Sequence, residues 1–149
     1  MRPSRDEWAL GLAALTAQRG TCARRQVGCV LVDARGHVLA TGYNGRPRGF
    51  DHCSEGTPCA GAAAPTGQRL SECEAVHAEA NALLQCRDVD LIVTCYVTIS
   101  PCVECTKLLL NTSCQRVVAA DAYAYDAQSR ELWERGGRIW QLGGFQGGK

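Results

Sequence analysis

Residues 6–19 place Trp8, Ala9, Leu12, Ala13 and Leu15, with Thr16, at helical spacing, and Gly20 supplies a stop. Two runs rich in Val and Leu follow at residues 26–32 and 37–41. The tetrapeptide Asp33-Ala34-Arg35-Gly36 between them is a turn signal, so the pair predicts an antiparallel hairpin. From Gly42 to Ser71 the regular pattern breaks, and glycine, alanine and proline predict loop. Helical periodicity resumes over residues 74–87 through Val76, Ala80, Leu83 and Leu84. Strands at 91–99, 116–120 and 138–142 then alternate with helices at 102–111 and 126–135, and the glycine-rich tail beyond is expected to fray. This order predicts an α/β fold: a five-stranded mixed sheet with helices on both faces. Right-handed crossovers would put Ser100-Pro101 at the carboxyl end of a strand, where open α/β sheets hold their ligands.

At 149 residues the chain has the length of a single domain, 1–149. Apolar content of 46% and charged content of 21% exclude collagen-like and disordered classes. Apolar runs fall far short of the roughly 18 residues of a membrane span, and no apolar leader precedes the first helix, so a cytoplasmic location is expected. A net charge of +1 argues against a protein that coats nucleic acid. The count that changes the picture is ten cysteines. Without an export signal, metal ligation and small buried thiols account for them better than a disulfide framework.

Two short motifs carry the chemistry: His77-Ala78-Glu79 opening one helix, and Pro101-Cys102-Val103-Glu104-Cys105 opening the next. Cys102 and Cys105, three apart, share one face of a first helical turn, where the positive end of the helix favours thiolates. Pro101 suits that junction because its missing N–H would be unpaired there anyway. Either motif alone has a plainer reading, such as a redox pair, half a structural zinc site or a packed histidine. Together they make three zinc ligands and leave a fourth position for water, the layout of catalytic zinc. Glu79, close by on another bearing, can take a proton from water and pass it to the substrate. H-x-E followed by P-C-x-x-C is the signature of zinc nucleobase deaminases.

Over nearly its whole length the sequence resembles the deoxycytidylate (dCMP) deaminase family of the zinc-dependent cytidine deaminase superfamily. The resemblance rests on residues 19–22, Gln26-Val27-Gly28-Cys29, and Gly42-Tyr43-Asn44-Gly45 with Pro47 and Gly49. It continues through His77-Ala78-Glu79 with Asn81-Ala82, residues 100–105, and Tyr123. It implies a cytidine-deaminase-like αβα sandwich and hydrolysis of dCMP, or a 5-substituted dCMP, to the deoxyuridylate and ammonia. It also implies that Asn44 meets the deoxyribose, that the backbone at Ala78 and Ser100 holds the pyrimidine edge, and that Tyr123 meets the 5′-phosphate. Family members often form homo-oligomers, hexamers or dimers, and respond to dCTP and dTTP, with Mg2+ as a companion of such effectors. Gly45, Arg46 and Arg48 are the expected effector contacts, with an ordinary solvated turn as the alternative. Residues 111–116 and the 50–73 loop depart from the family pattern, which bears on assembly, regulation and base preference more than on catalysis.

Some relatives carry a second, structural zinc. The expected ligands here are Cys22, Cys53, Cys59 and Cys73, with His52 as a substitute for one of them; a polar, glycine-rich loop over 43–73 would gain order from a closed metal site. Cys29, Cys86, Cys95 and Cys114 are expected to pack. Two other functions share these motifs. A deaminase acting on tRNA or single-stranded nucleic acid would need a basic, aromatic-studded channel, which 6% aromatic content and dispersed arginines do not suggest. A non-catalytic nucleotide-binding zinc scaffold would have no use for Glu79.

Overall fold

The computed structural model describes residues 1–65 and 67–143; the tail expected to fray lies outside them. Helix α1 (Arg5–Ala17) starts at a reciprocal cap, in which Ser4 Oγ accepts the Glu7 N–H and the Glu7 carboxylate accepts the Ser4 N–H. Its buried face is Ala9, Leu10, Ala13 and Ala17, whereas Trp8 and Leu15 point outward. The apolar stripe inferred from spacing is therefore rotated. The reason is close approach: a Cβ on Gly28 would lie 2.0 Å from the Ala13 carbonyl oxygen, so small residues face the sheet.

Strands β1 (Gly28–Val32) and β2 (Val38–Tyr43) form the expected hairpin. Asp33 closes it, its carboxylate accepting the N–H groups of Arg35 and His37, and Gly36 takes φ 81°. Helices α2 (Ala60–Ala63) and α3 (Ala78–Gln85) precede β3 (Thr94–Ile99), α4 (Val103–Leu110), β4 (Arg116–Asp121), α5 (Ala127–Arg135) and β5 (Ile139–Leu142). The sheet order is β2-β1-β3-β4-β5, with β1 antiparallel to both neighbours and β3, β4 and β5 mutually parallel. One face (Val30, Val32, Tyr96, Val118) packs on α1; the other (Leu31, Val97, Val117, Ala119) packs on α3, α4 and α5 through Ala82, Leu109 and Trp133. Every residue of β1 is buried, as a strand covered on both faces requires.

Three boundaries differ from the pattern reading. The strand expected over 91–99 starts only at Thr94, because Val89–Leu91 form a 3₁₀ turn. Residues 74–77 are extended rather than helical, because Val76 and Gly45 exchange backbone hydrogen bonds of 2.7 and 3.2 Å in an isolated antiparallel bridge. That tertiary pairing outcompetes helical propensity and delays α3 until Ala78. The loop inferred over 42–71 contains the short α2 and a 3₁₀ turn, Leu70–Glu72, while Gly42 and Tyr43 belong to β2.

Gly42 fixes how closely α3 lies against β2. A Cβ there would sit 2.2 Å from the Ala78 carbonyl oxygen and 2.4 Å from the Ala82 nitrogen, both helix backbone. Gly42→Ala must push α3 away, and urea unfolding should show a loss of about 1–3 kcal/mol, as for an overpacked core. Unchanged stability would mean that this spacing is slack.

Candidate active site

Two helix starts meet at the carboxyl end of β3. His77 is the N-cap of α3 and Cys102 the N-cap of α4, with Cys105 one turn into that helix. His77 Nδ1 lies 3.4 Å from Cys102 Sγ and 3.4 Å from Cys105 Sγ, and all three ligand atoms fall within 4.8 Å of one another. A tetrahedral zinc with ordinary Zn–S and Zn–N bonds sets nitrogen and sulfur about 3.5 Å apart, so this donor set fits the ion. Among the described residues no fourth His, Cys, Asp or Glu joins the cluster. The layout is that of an open site.

The electrostatics agree with thiolate ligation. The hydrogen bond with Cys105, aided by one with His77, brings the Cys102 thiol down to about 4, against the opposing effect of burial. That same contact, together with burial, pushes the Cys105 thiol far up. His77 is raised by its contact with the Cys102 sulfur, burial working against it. Glu79, in the first turn of α3, is 4% exposed, and burial pushes its carboxyl above the usual carboxylate range. A carboxyl kept ready to hold a proton, beside three metal donors, suits proton transfer.

The remaining site residues expected from sequence line the same cleft: Asn44, Ala78, Ser100 and Tyr123. Asn44 is buried with both amide ends engaged: Oδ1 accepts the Val27 N–H at 2.8 Å, and Nδ2 donates to the Arg25 carbonyl at 2.7 Å. One N–H and one lone pair remain for a ligand. Ser100 Oγ donates to Asp126 at 2.8 Å and accepts the Tyr123 N–H at 2.6 Å, which ties the segment after β4 to the end of β3. The Tyr123 ring meets Tyr125 edge-on at 5.6 Å.

The turn expected to meet effectors has other partners. Gly45 N–H is bonded to Val76, and Arg46 is bound to Glu74 and to the carbonyls of Asp51 and Thr57. Arg48 is exposed. All ten cysteines are free thiols. Cys59 neighbours Cys53 and Cys73, and Cys22, in the segment before β1, acts electrostatically on Cys73, so the four share one region. Their ligand atoms do not form the tight cluster seen at His77. Cys29, Cys95 and Cys114 are buried, and Cys86 packs at the edge of the core, as expected.

Sequence reasoning missed Arg25, Val27 and Ile99 in the cleft wall, and Asp126 behind Ser100. Val27 lay within a quoted motif and Ile99 at the strand end preceding one. Arg25 and Asp126 carried no local signal, because their roles depend on contacts across 19 and 26 residues.

An α/β sheet bearing His, Cys and Cys donors beside a buried glutamate defines a zinc nucleobase deaminase as a class. A model of the cytidine and deoxycytidylate deaminase zinc-binding region matches residues 3–121. Deoxycytidylate deaminase of Mycobacterium phage D29 is 46% identical over 122 residues, covering 78% of this chain and 94% of that protein. The Schizosaccharomyces pombe deoxycytidylate deaminase is 39% identical over 140 residues, covering 91% of this chain, which spans 43% of that longer relative. The crystal structure of dCMP deaminase from cyanophage S-TIM5, solved with dCMP and dUMP, superposes with a TM-score of 0.75 at 25% identity, covering 96% of this chain and 99% of that one. The chain belongs to the deoxycytidylate deaminase family.

Proposed function

We propose that this chain hydrolyses dCMP, or a 5-substituted dCMP, to the corresponding deoxyuridylate and ammonia. The observation that carries this reading is His77 Nδ1 set 3.4 Å from both sulfurs beside the buried Glu79. A zinc ion held by His77, Cys102 and Cys105 supplies Lewis-acid activation of water at neutral pH. Glu79 takes a proton from that water on a carboxylate oxygen and delivers it to the departing exocyclic amine. Val27 and Ile99 give the base apolar walls, and the backbone at Ala78 and Ser100 meets its polar edge. The free N–H and lone pair of Asn44 meet the deoxyribose, and the Tyr123 hydroxyl donates toward the 5′-phosphate.

The same reading includes a structural zinc among Cys22, Cys53, Cys59 and Cys73, supported by the approach of Cys22, from the segment before β1, to the three loop cysteines. It includes nucleotide effectors of the dCTP and dTTP kind, with Mg2+, near Arg48, and assembly into a homo-oligomer, supported by exposed Leu84 and Leu108. No helix among the described residues is long and apolar enough to cross a membrane.

The zinc-loaded protein should deaminate dCMP in preference to deoxycytidine, CMP and dCTP in a spectrophotometric panel that includes 5-methyl-dCMP, with and without dTTP and magnesium. Turnover of oligonucleotides but not mononucleotides would reverse the assignment in favour of a nucleic-acid deaminase. Native mass spectrometry should find two zinc ions per chain; one would remove the structural site.

A further inference from the structure

Arg25 has a job that neither the motifs nor the family resemblance assigned to it. Resting on the dCMP reading above, we propose that Arg25 grips the substrate's 5′-phosphate and sets the preference for nucleotide over nucleoside.

Three observations converge on it. First, among the described residues that line the cleft Arg25 is the only arginine or lysine, in a wall that also holds His77 and Glu79. Second, its neighbour Arg24 is occupied: that guanidinium binds the carbonyls of Ala64 at 2.6 Å and Pro65 at 2.7 Å, fastening the long loop. Arg46 is likewise bound to Glu74. Arg25 is exposed, and among the described residues its guanidinium has no hydrogen bond or ion pair. Third, its backbone is clamped. Asn44 holds the Arg25 carbonyl and the Val27 N–H with its amide, and its own N–H reaches the Val27 carbonyl at 3.3 Å. The clamp fixes where this unpartnered cation leaves the cleft wall, which lowers the ordering cost of an anion contact there.

The chemistry selects the ligand. The base must enter beside the buried Glu79 and the three metal donors, so the phosphate lies away from them, and the exposed Arg25 is the cation in the cleft wall that remains for it. A guanidinium fork matches two phosphate oxygens at once, and an ion-assisted hydrogen bond is roughly twice as strong as a neutral one. Tyr123 offers one neutral donor to a group carrying close to two negative charges. Because the whole chain has a net charge of only +1, no general positive field does this work. Asn44 thereby gains a second role, as a positioning residue for Arg25.

The test compares Arg25→Gln and Arg25→Lys with wild type, using the zinc-loaded enzyme. Arg25→Gln should raise KM for dCMP about 10- to 100-fold, the loss expected for hydrogen bonds to a charged group, with little change in kcat and in kcat/KM for deoxycytidine. Arg25→Lys should recover part of the loss. Calorimetric titration should show the same contrast, Arg25→Gln weakening dUMP but not deoxyuridine. The rise of KM for dCMP with salt should also flatten in Arg25→Gln. Equal losses for nucleotide and nucleoside, or an unchanged ratio between them, overturns the proposal. A wild-type enzyme inert toward dCMP would instead overturn the activity assignment.

Discussion

Glu79→Gln should lower kcat for dCMP by about 10²–10⁴-fold, the usual contribution of a positioned general acid–base group. The substitution keeps the size of the side chain and one acceptor oxygen, so neither α3 nor the cluster of His77, Cys102 and Cys105 is disturbed. What is lost is the capacity to hold a proton and release it. Because Glu79 is almost wholly buried, bulk water is poorly placed to take over its task. Zinc content and melting temperature should remain close to wild type, and binding of dUMP should survive. Turnover within tenfold of wild type, with zinc still bound, would show that another group carries the proton. The same variant separates an enzyme from a scaffold, since a scaffold would bind nucleotide equally well with either side chain.

The second large effect concerns the metal donors. Cys105→Ala should abolish turnover, with a loss greater than about 10³-fold, because water activation at neutral pH depends on the ion. Cys105 is buried and stands within 3.4 Å of His77 Nδ1, so no exposed side chain can replace it. Its removal leaves two donors, and the depressed Cys102 thiol loses the neighbour chiefly responsible for its low value. Mass spectrometry should show one zinc fewer per chain than wild type, while any zinc in the 43–73 loop stays. Chelator-stripped wild-type protein should regain activity with added zinc, and Cys105→Ala should not. Recovery of the variant by zinc would mean that Cys105 is dispensable as a ligand.

The two site motifs were legible in the sequence because each acts locally. Cys102 and Cys105 face the same way by helical geometry alone, and Pro101 marks where their helix starts. His77 and Glu79 lie two residues apart, so their proximity needed no knowledge of the fold. The hairpin was equally legible, since Asp33 and Gly36 specify its turn through bonds within a few residues. The N-terminal limit of α3 was not: Val76 pairs with Gly45, 31 residues earlier, and no local pattern records that bridge. The buried face of α1 was misplaced for a similar reason, the glycine that admits its alanines lying on β1.

The kind of chemistry was written in the order of residues, because ligand type, ligand spacing and the nearby acid are properties of short segments. It took the folded chain to settle which side chains wall the cleft, that among the described residues Arg25 of the cleft wall has no partner, and that Asn44 braces the backbone before it reaches any ligand. Those outcomes depend on contacts between residues far apart in the chain. Of the identical side chains of Arg24 and Arg25, one acquires partners and the other does not once strands and loops have converged. Local pattern cannot distinguish two adjacent arginines; the carbonyls that come to surround one of them can.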